Sequence, residues 1–545
     1  MAIETANAAG IAPEQIVEEV LAALRVPDVT RAFELADAAL RKGIQHPALF
    51  NARAIWFEQQ GRYREALVDF ECTRAYLPRD PALLNSVGFC LLNLSRARDA
   101  VGAFDGAIAA APDFARAHYG RGQALRTLGK FEEARHALQR SVAIDTDDMD
   151  ALASLASIAA RLGNFPEARS CAERVLKRDP RQPGANITLA MAELAQGDNA
   201  AAEHRLRAFI DDPQIGGDAR TTVLGLYAEA LDKQDRGPEA FAIHAALNQE
   251  IRARHAPQFN GVRAIDNALG LSAYFEKTEP WHTRPGPTPE RDAPACHVFL
   301  LGFMRSGTTL LEAVLAGHPQ TVALDERDCL RQAAQVFLGS GAGLDQLARL
   351  DNAERTHWRN VYWQSIGNQG LSVAGKVFVD KLPFNSLKLP LIAKLFPDAK
   401  ILFAIRDPRD VVLSAFRQRF EINTDNFEFL RLDDCARYYA TIMRLVTLYR
   451  EKLPLDLHEH RYEDLVADFD TSVRAVCAFI GIDWNDSMRN FAAAPRSVDA
   501  RSASAPQIRR GLYSGAGQWR RYRDELAPIL PILEPWIARF GYPTE

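Results

Sequence analysis

The segment His297–Pro319, HVFLLGFMRSGTTLLEAVLAGHP, decides how the second half of the chain folds. Five residues of continuous apolar character, His297–Leu301, read as a buried strand. Gly302 and Gly307 bound a turn, and Leu310–Gly317 reads as a helix packed into a core. The two glycines permit tight turns and a close approach of backbone to a ligand. The amides of Ser306, Gly307, Thr308 and Thr309 then lie at a helix N-terminus, where unpaired N–H groups and the helix dipole favour an anion.

The frame Gly302-Phe303-Met304-Arg305-Ser306-Gly307-Thr308-Thr309 is G-x-x-x-x-G plus two residues, the spacing of a phosphate loop. Thr308 stands where such loops carry lysine. That lysine contacts the β- and γ-phosphates of a nucleoside triphosphate, so an ATPase or kinase is disfavoured. Arg305 supplies the cation instead, and Thr308 and Thr309 add hydroxyl donors.

Outward from this motif, strand-like and helix-like segments alternate. Residues 297–301, 321–326, 376–382, 399–407 and 457–462 read as strands, and 310–317, 386–396, 411–420 and 471–481 as helices. Alternation with near-continuous apolar strands predicts an α/β domain around a mostly parallel sheet. A second polar block follows the fourth strand: Arg406-Asp407-Pro408-Arg409-Asp410, then a helix with Ser414. Proline and aspartate suit a helix start. Arg406 and Ser414 can clamp one anion from a strand end and a helix, whereas the RDPRD run alone reads as surface ion pairing.

The first half has a different grammar, repeating every 34 residues. One column is Ala66, Ala100, Ala134, Ala168, Ala202, and four residues on lie Phe70, Phe104, Leu138, Ala172, Leu206. Gly61, Ser95, Gly129, Gly163 and Gly197 form a turn column, followed by Tyr63, Ala97, Phe131, Phe165 and Asn199. Small residues let helices approach, and the larger ones share their face. Pro78, Pro112 and Pro180 close units, and Thr146 interrupts that column. A 34-residue helix pair is the tetratricopeptide signature, with five units over about 47–214. A divergent unit with Ala32, Ala36 and Ala39 precedes them, and another with Leu224, Ala228, Ala240 and Leu247 follows. Such arrays form a superhelix whose groove suits a protein or peptide. The competing reading is a scaffold that positions or dimerises the neighbouring domain, under which a homodimer is expected. The expected boundaries are a repeat domain over 1–255, a proline-rich connector over 256–295 and the α/β domain over 296–545.

Bulk properties narrow the class. At 545 residues the chain exceeds one ordinary core. A net charge of −5 argues against sequence-independent nucleic-acid binding. Seven scattered cysteines without a C-x-x-C pair point to a reducing compartment and away from a zinc site. The N-terminal residues lack a secretory pattern and no apolar run is long enough to span a membrane, so the cytoplasm is the expected location.

Taken together, RSGTT and the Arg406/Ser414 block resemble the sulfotransferases that use 3′-phosphoadenosine 5′-phosphosulfate (PAPS), over about residues 296–543. The resemblance is nearest to the protein-tyrosine branch, with Met304 in place of a usual proline. It implies that Arg305, Ser306, Gly307, Thr308 and Thr309 hold the 5′-phosphosulfate and that Arg406 and Ser414 hold the 3′-phosphate. Leu324-Asp325-Glu326-Arg327 is similar to the segment bearing the family's catalytic glutamate, which assigns Glu326 as general base. Asp380-Lys381-Leu382-Pro383-Phe384 implies Lys381 as catalytic lysine, with Arg305 sharing charge stabilisation. His460-Arg461-Tyr462-Glu463-Asp464 puts Tyr462 beside the nucleotide. The run from Arg501 to Arg509 is similar to a late nucleotide-binding loop, with Ser504, Gln507 and a cation, Arg509 or its neighbour Arg510, as its binding residues. No metal is implied. The acceptor is a hydroxyl, with tyrosine of a polypeptide the leading expectation. A carbohydrate or small hydroxyl compound is the alternative, as is an inactive domain carried by an interaction protein.

Overall fold

A computed structural model of the chain describes residues 12–26, 28–259, 261, 263–282, 293–493, 512 and 515–544. It divides into two compact units, Met1–Ala230 and Leu231–Glu545.

The first unit is a succession of antiparallel helix pairs, as the repeat predicts. The second helices of the five units begin at Tyr63, Ala97, Phe131, Phe165 and Asn199, the residues of the fourth column. The alanine column is fully buried at each position from Ala66 to Ala202. Every member of the turn column has positive φ: 71° at Gly61, 61° at Ser95, 75° at Gly129, 80° at Gly163 and 85° at Gly197. The preceding divergent unit is also present, with Ala32, Ala36 and Ala39 buried.

The second unit holds a five-stranded parallel sheet. Its strands are β1 (Cys296–Gly302), β2 (Thr321–Asp325), β3 (Val377–Lys381), β4 (Lys400–Ile405) and β5 (Asp456–Arg461), in the order β2-β3-β1-β4-β5. β1 is buried on both faces because its residues alternate between two cores. Phe299 and Leu301 join one cluster, and Val298 and Leu300 join another with Leu311, Val314 and Leu315. The chain moves to one side of β1 for β2 and β3 and to the other for β4 and β5. This reversal opens a crevice at the C-terminal end of β1 beside β4, the usual ligand position in such sheets.

Two expected boundaries move. The helix α1 (Gly237–Phe259) carries Ala240 and Leu247, read from sequence as a last repeat, yet it belongs to the second unit. Phe241 stacks on Phe416 at 5.2 Å, and Asn248 Nδ2 donates to the Phe416 carbonyl at 2.8 Å. The expected connector contains a core helix, α2 (Ala264–Phe275), which packs on the long helix Leu432–Lys452. Phe275 there is fully buried, edge-on to Tyr449 at 5.0 Å. Local helical signals were masked by the nearby prolines. Trp281 also packs on Phe275, and its backbone amide donates to the Lys452 carbonyl at 2.7 Å.

Candidate active site

The phosphate loop leaves β1 at Gly302 and enters α3 (Thr308–Ala316) after Gly307. Both glycines are required sterically. A Cβ on Gly302 would lie 2.7 Å from the Ala404 carbonyl of the adjacent strand. One on Gly307, where φ is +95°, would lie 2.7 Å from the Tyr462 ring. Ser306, Thr308 and Thr309 are buried at the helix start, and Thr308 and Thr309 line the cleft. Arg305 has φ of +72°, a left-handed conformation unusual for a side-chain-bearing residue.

The two motifs meet. Arg305 Nε donates to Ser414 Oγ at 2.9 Å, on the helix Pro408–Arg417 that follows β4. Arg406 donates to the Arg305 carbonyl at 3.1 Å and to the Gly515 carbonyl at 2.5 Å. Its guanidinium lies 4.8 Å over the Tyr462 ring, and the Tyr462 hydroxyl accepts from Gly515 N at 2.9 Å. Burial, with Arg406 adding like charge, pushes Arg305 down to about 10. Two guanidinium groups held this close in a desolvated loop fit a polyanionic ligand.

The second cluster lies at the ends of β2 and β3. Lys381 is fully buried, and its ammonium donates to Glu326 Oε1 at 2.9 Å and to Asp325. Glu312, on α3, brings a third carboxylate within 3.3 Å of Lys381 Nζ. Burial opposes the Lys381 charge, but Glu312, Glu326 and Asp325 outweigh it and raise its pKa. Glu326 has φ of +45° and a side chain 38% exposed, so the carboxylate faces the cleft while its lysine partner stays dry. The cleft holds about 1160 Å³ and is lined by both clusters, including Arg305, Thr308, Glu326, Arg406 and Tyr462.

A model described as "Sulfotransferase family" matches residues 297–486, and one described as "Tetratricopeptide repeat" matches 91–149 and 153–206. Protein-tyrosine sulfotransferase 1 of Danio rerio is 30% identical over 260 residues, covering 45% of this chain and 72% of that protein. The chain belongs to the sulfotransferase family. An uncharacterized protein of Aquifex aeolicus (strain VF5) is 27% identical over 282 residues, and the match spans 45% of this chain but only 33% of that protein. A tetratricopeptide repeat protein from Parabacteroides merdae is 17% identical with a TM-score of 0.34, covering 44% of this chain and 92% of that one.

Within this sulfotransferase domain, the structure gathers Arg305, Gly307, Thr308, Thr309, Arg406, Ser414, Tyr462, Glu326 and Lys381 around one cleft or in direct contact with its lining, and Ser306 is buried in the loop between Arg305 and Gly307. Ser504, Gln507 and Arg509 lie outside the described residues. The RDPRD run departs from the surface pairing expected of it. Asp407, Arg409 and Asp410 are buried, Arg409 pairs with Asp407 at 2.8 Å and lies 3.7 Å over the Trp519 ring. Asp410 accepts the amides of Gly517 at 2.6 Å and Trp519 at 2.8 Å, tying the C-terminal segment beside Arg406. Sequence reasoning missed Glu312. Its signal was available: it is the one charged residue in the otherwise apolar or hydroxyl-bearing helix TTLLEAVLA.

Proposed function

We propose that this chain transfers a sulfuryl group from PAPS to a hydroxyl, with Glu326 as general base. The observation that carries the reading is the Arg305–Ser414 hydrogen bond, which joins two distant motifs into one anion site. The loop amides and Thr308 and Thr309 suit the 5′-phosphosulfate, and Arg406 with Ser414 suits the 3′-phosphate. A 3′,5′-bisphosphorylated nucleotide matches two adjoining cationic subsites better than a triphosphate, which needs the missing loop lysine.

Sulfuryl transfer resembles phosphoryl transfer in needing alignment and charge stabilisation. Glu326, on the cleft side of the pair, takes the proton of the acceptor hydroxyl. Lys381 and Arg305 stabilise charge that builds on the leaving 5′-phosphate. Ser504, Gln507 and Arg509 complete the nucleotide pocket in this reading. The acceptor is a tyrosine hydroxyl in a polypeptide recruited by the repeat groove, a reading supported by the likeness to relatives named protein-tyrosine sulfotransferase. The cytoplasm is the proposed location, consistent with cysteines that are all unpaired and mostly buried.

Thermal-shift titration with PAP, the desulfated product, tests the donor site. Binding to the folded state raises the melting temperature. A rise that is lost in Arg406→Ala is expected, and no shift at saturating PAP would sink the proposal.

A further inference from the structure

Among the described residues, Glu312 is buried in a setting that offers it one cation. Its side chain is 2% exposed, and its Oε2 lies 3.3 Å from Lys381 Nζ. The helix that carries it packs on β1 and on the short helical segment Asp486–Ala493, and its neighbours Leu311, Ala313, Val314 and Leu315 share one apolar cluster with Val298, Leu300, Met488 and Phe491. The titratable groups acting on it are Lys381 from β3, and Asp325 and Glu326 at the end of β2.

Three carboxylates thus converge on one ammonium, one more than the strand-end pair needs. Asp325 and Glu326 meet Lys381 from the cleft side, and Glu312 meets it from α3, the helix whose first turn forms the phosphate loop. The same helix therefore carries the donor cradle at its N-terminus and a contact to the ammonium one turn later.

We propose that Glu312 is a positioning residue for sulfuryl transfer, holding the Lys381 ammonium against α3 and setting, by its own protonation, how strongly that ammonium attracts the donor's phosphate. This rests on the reading of the cleft as a PAPS site. With Glu312 protonated, Lys381 faces two carboxylates. With Glu312 ionised it faces three, and the added negative charge repels an incoming phosphate. Burial pushes the Glu312 carboxyl up to about 8, with Lys381 acting in the opposite direction. The change of state then falls within the working range of an assay.

PAP affinity of the full chain, measured by calorimetry from about pH 7 to about pH 9, tests this without an acceptor. The wild-type protein is expected to bind PAP about tenfold more weakly at the upper pH. Glu312→Gln, which mimics the protonated state, is expected to bind like wild type at the lower pH and to show no such step. Glu312→Asp, whose shorter chain draws the carboxyl away from the ammonium, is expected to keep a step with a displaced midpoint. It decides the matter should the glutamine variant not fold. A step that persists unchanged in either variant, or a flat wild-type profile with intact PAP binding, overturns the role of Glu312. Failure of wild type to bind PAP at any pH overturns the donor-site reading itself.

Discussion

Glu326 and Lys381 are bonded twice. The Lys381 ammonium donates to Glu326 Oε1 at 2.9 Å, and the Glu326 amide donates to the Lys381 carbonyl at 2.8 Å. The backbone bond extends the β2–β3 pairing past Asp325, and the turn at Glu326 then adopts positive φ. The side-chain bond therefore follows from sheet register, which holds a cleft-facing carboxylate and a buried ammonium at fixed separation.

Because Lys381 is buried against Asp325 and Glu326, its removal leaves their charges uncompensated. Lys381→Met is expected to cost about 3 kcal/mol or more of stability, the range found when one partner of a buried pair is deleted. Glu326→Gln, changed at a partly exposed position, is expected to cost far less. Urea denaturation of the two variants beside wild type checks the contrast, and equal losses would contradict it.

Gly307 is expected to tolerate no side chain. Gly307→Ala forces a Cβ into left-handed backbone at φ +95° and against the Tyr462 ring. The strain alone costs about 1–3 kcal/mol. Melting temperature should fall, and the PAP-induced shift should disappear because Tyr462 and the loop amides are displaced together. A variant with normal PAP binding would show that the loop is not the cradle.

In the repeat unit, Ser95 sits at φ 61° in a column where the other turns use glycine. Left-handed backbone costs a non-glycine residue roughly 1–2 kcal/mol, and glycine's greater unfolded entropy returns part of that. Ser95→Gly is expected to stabilise the repeats by about 0.5–1 kcal/mol, read as a higher melting temperature of the full chain.

Three imidazoles of the second unit are held neutral by burial: His244 and His297 down to about 3, and His460 down to about 4. Arg417, Arg359 and His458 respectively add like charge. Below about pH 6.5 the unfolded chain takes up protons at these imidazoles that the folded chain refuses, so the three groups lower stability as pH falls toward those values, outnumbering Glu312 and Asp380, whose raised carboxyls act in the opposite direction. Each group contributes a slope of about 1.4 kcal/mol per pH unit in that window. Denaturant melts at about pH 7 and about pH 5 should show the decline, and His297→Phe should make it shallower.

Most of the sheet was legible because β1 to β4 are short runs rich in apolar residues, whereas β5, DLHEHR, is largely polar and stood out only by its place in the strand–helix alternation. All five expected strands appear, β1 within a residue of its reading. The repeats were legible because a 34-residue period fixes helix pairs without tertiary knowledge. What could not be read depends on long-range adjacency. Arg305 and Ser414 meet only because β1 and β4 are neighbours, an order that neither motif encodes. Likewise, Asp407 and Arg409 look solvated until Trp519 and the Pro543 carbonyl arrive from the far end of the chain. Ala240 and Leu247 carried the small-and-large spacing of a repeat helix, and that spacing serves any close helix packing, including α1 on the α/β unit.

Sulfuryl transfer itself is the central claim. Sulfur-labelled PAPS incubated with the full chain and a lysate of its source measures it directly, with Glu326→Gln in parallel. Label is expected in a hydroxyl-bearing acceptor with wild type, falling by about 10²–10⁴-fold in the variant while PAP binding persists. Equal labelling by the two proteins would contradict the base assignment, and no labelling by wild type that binds PAP would contradict the transfer.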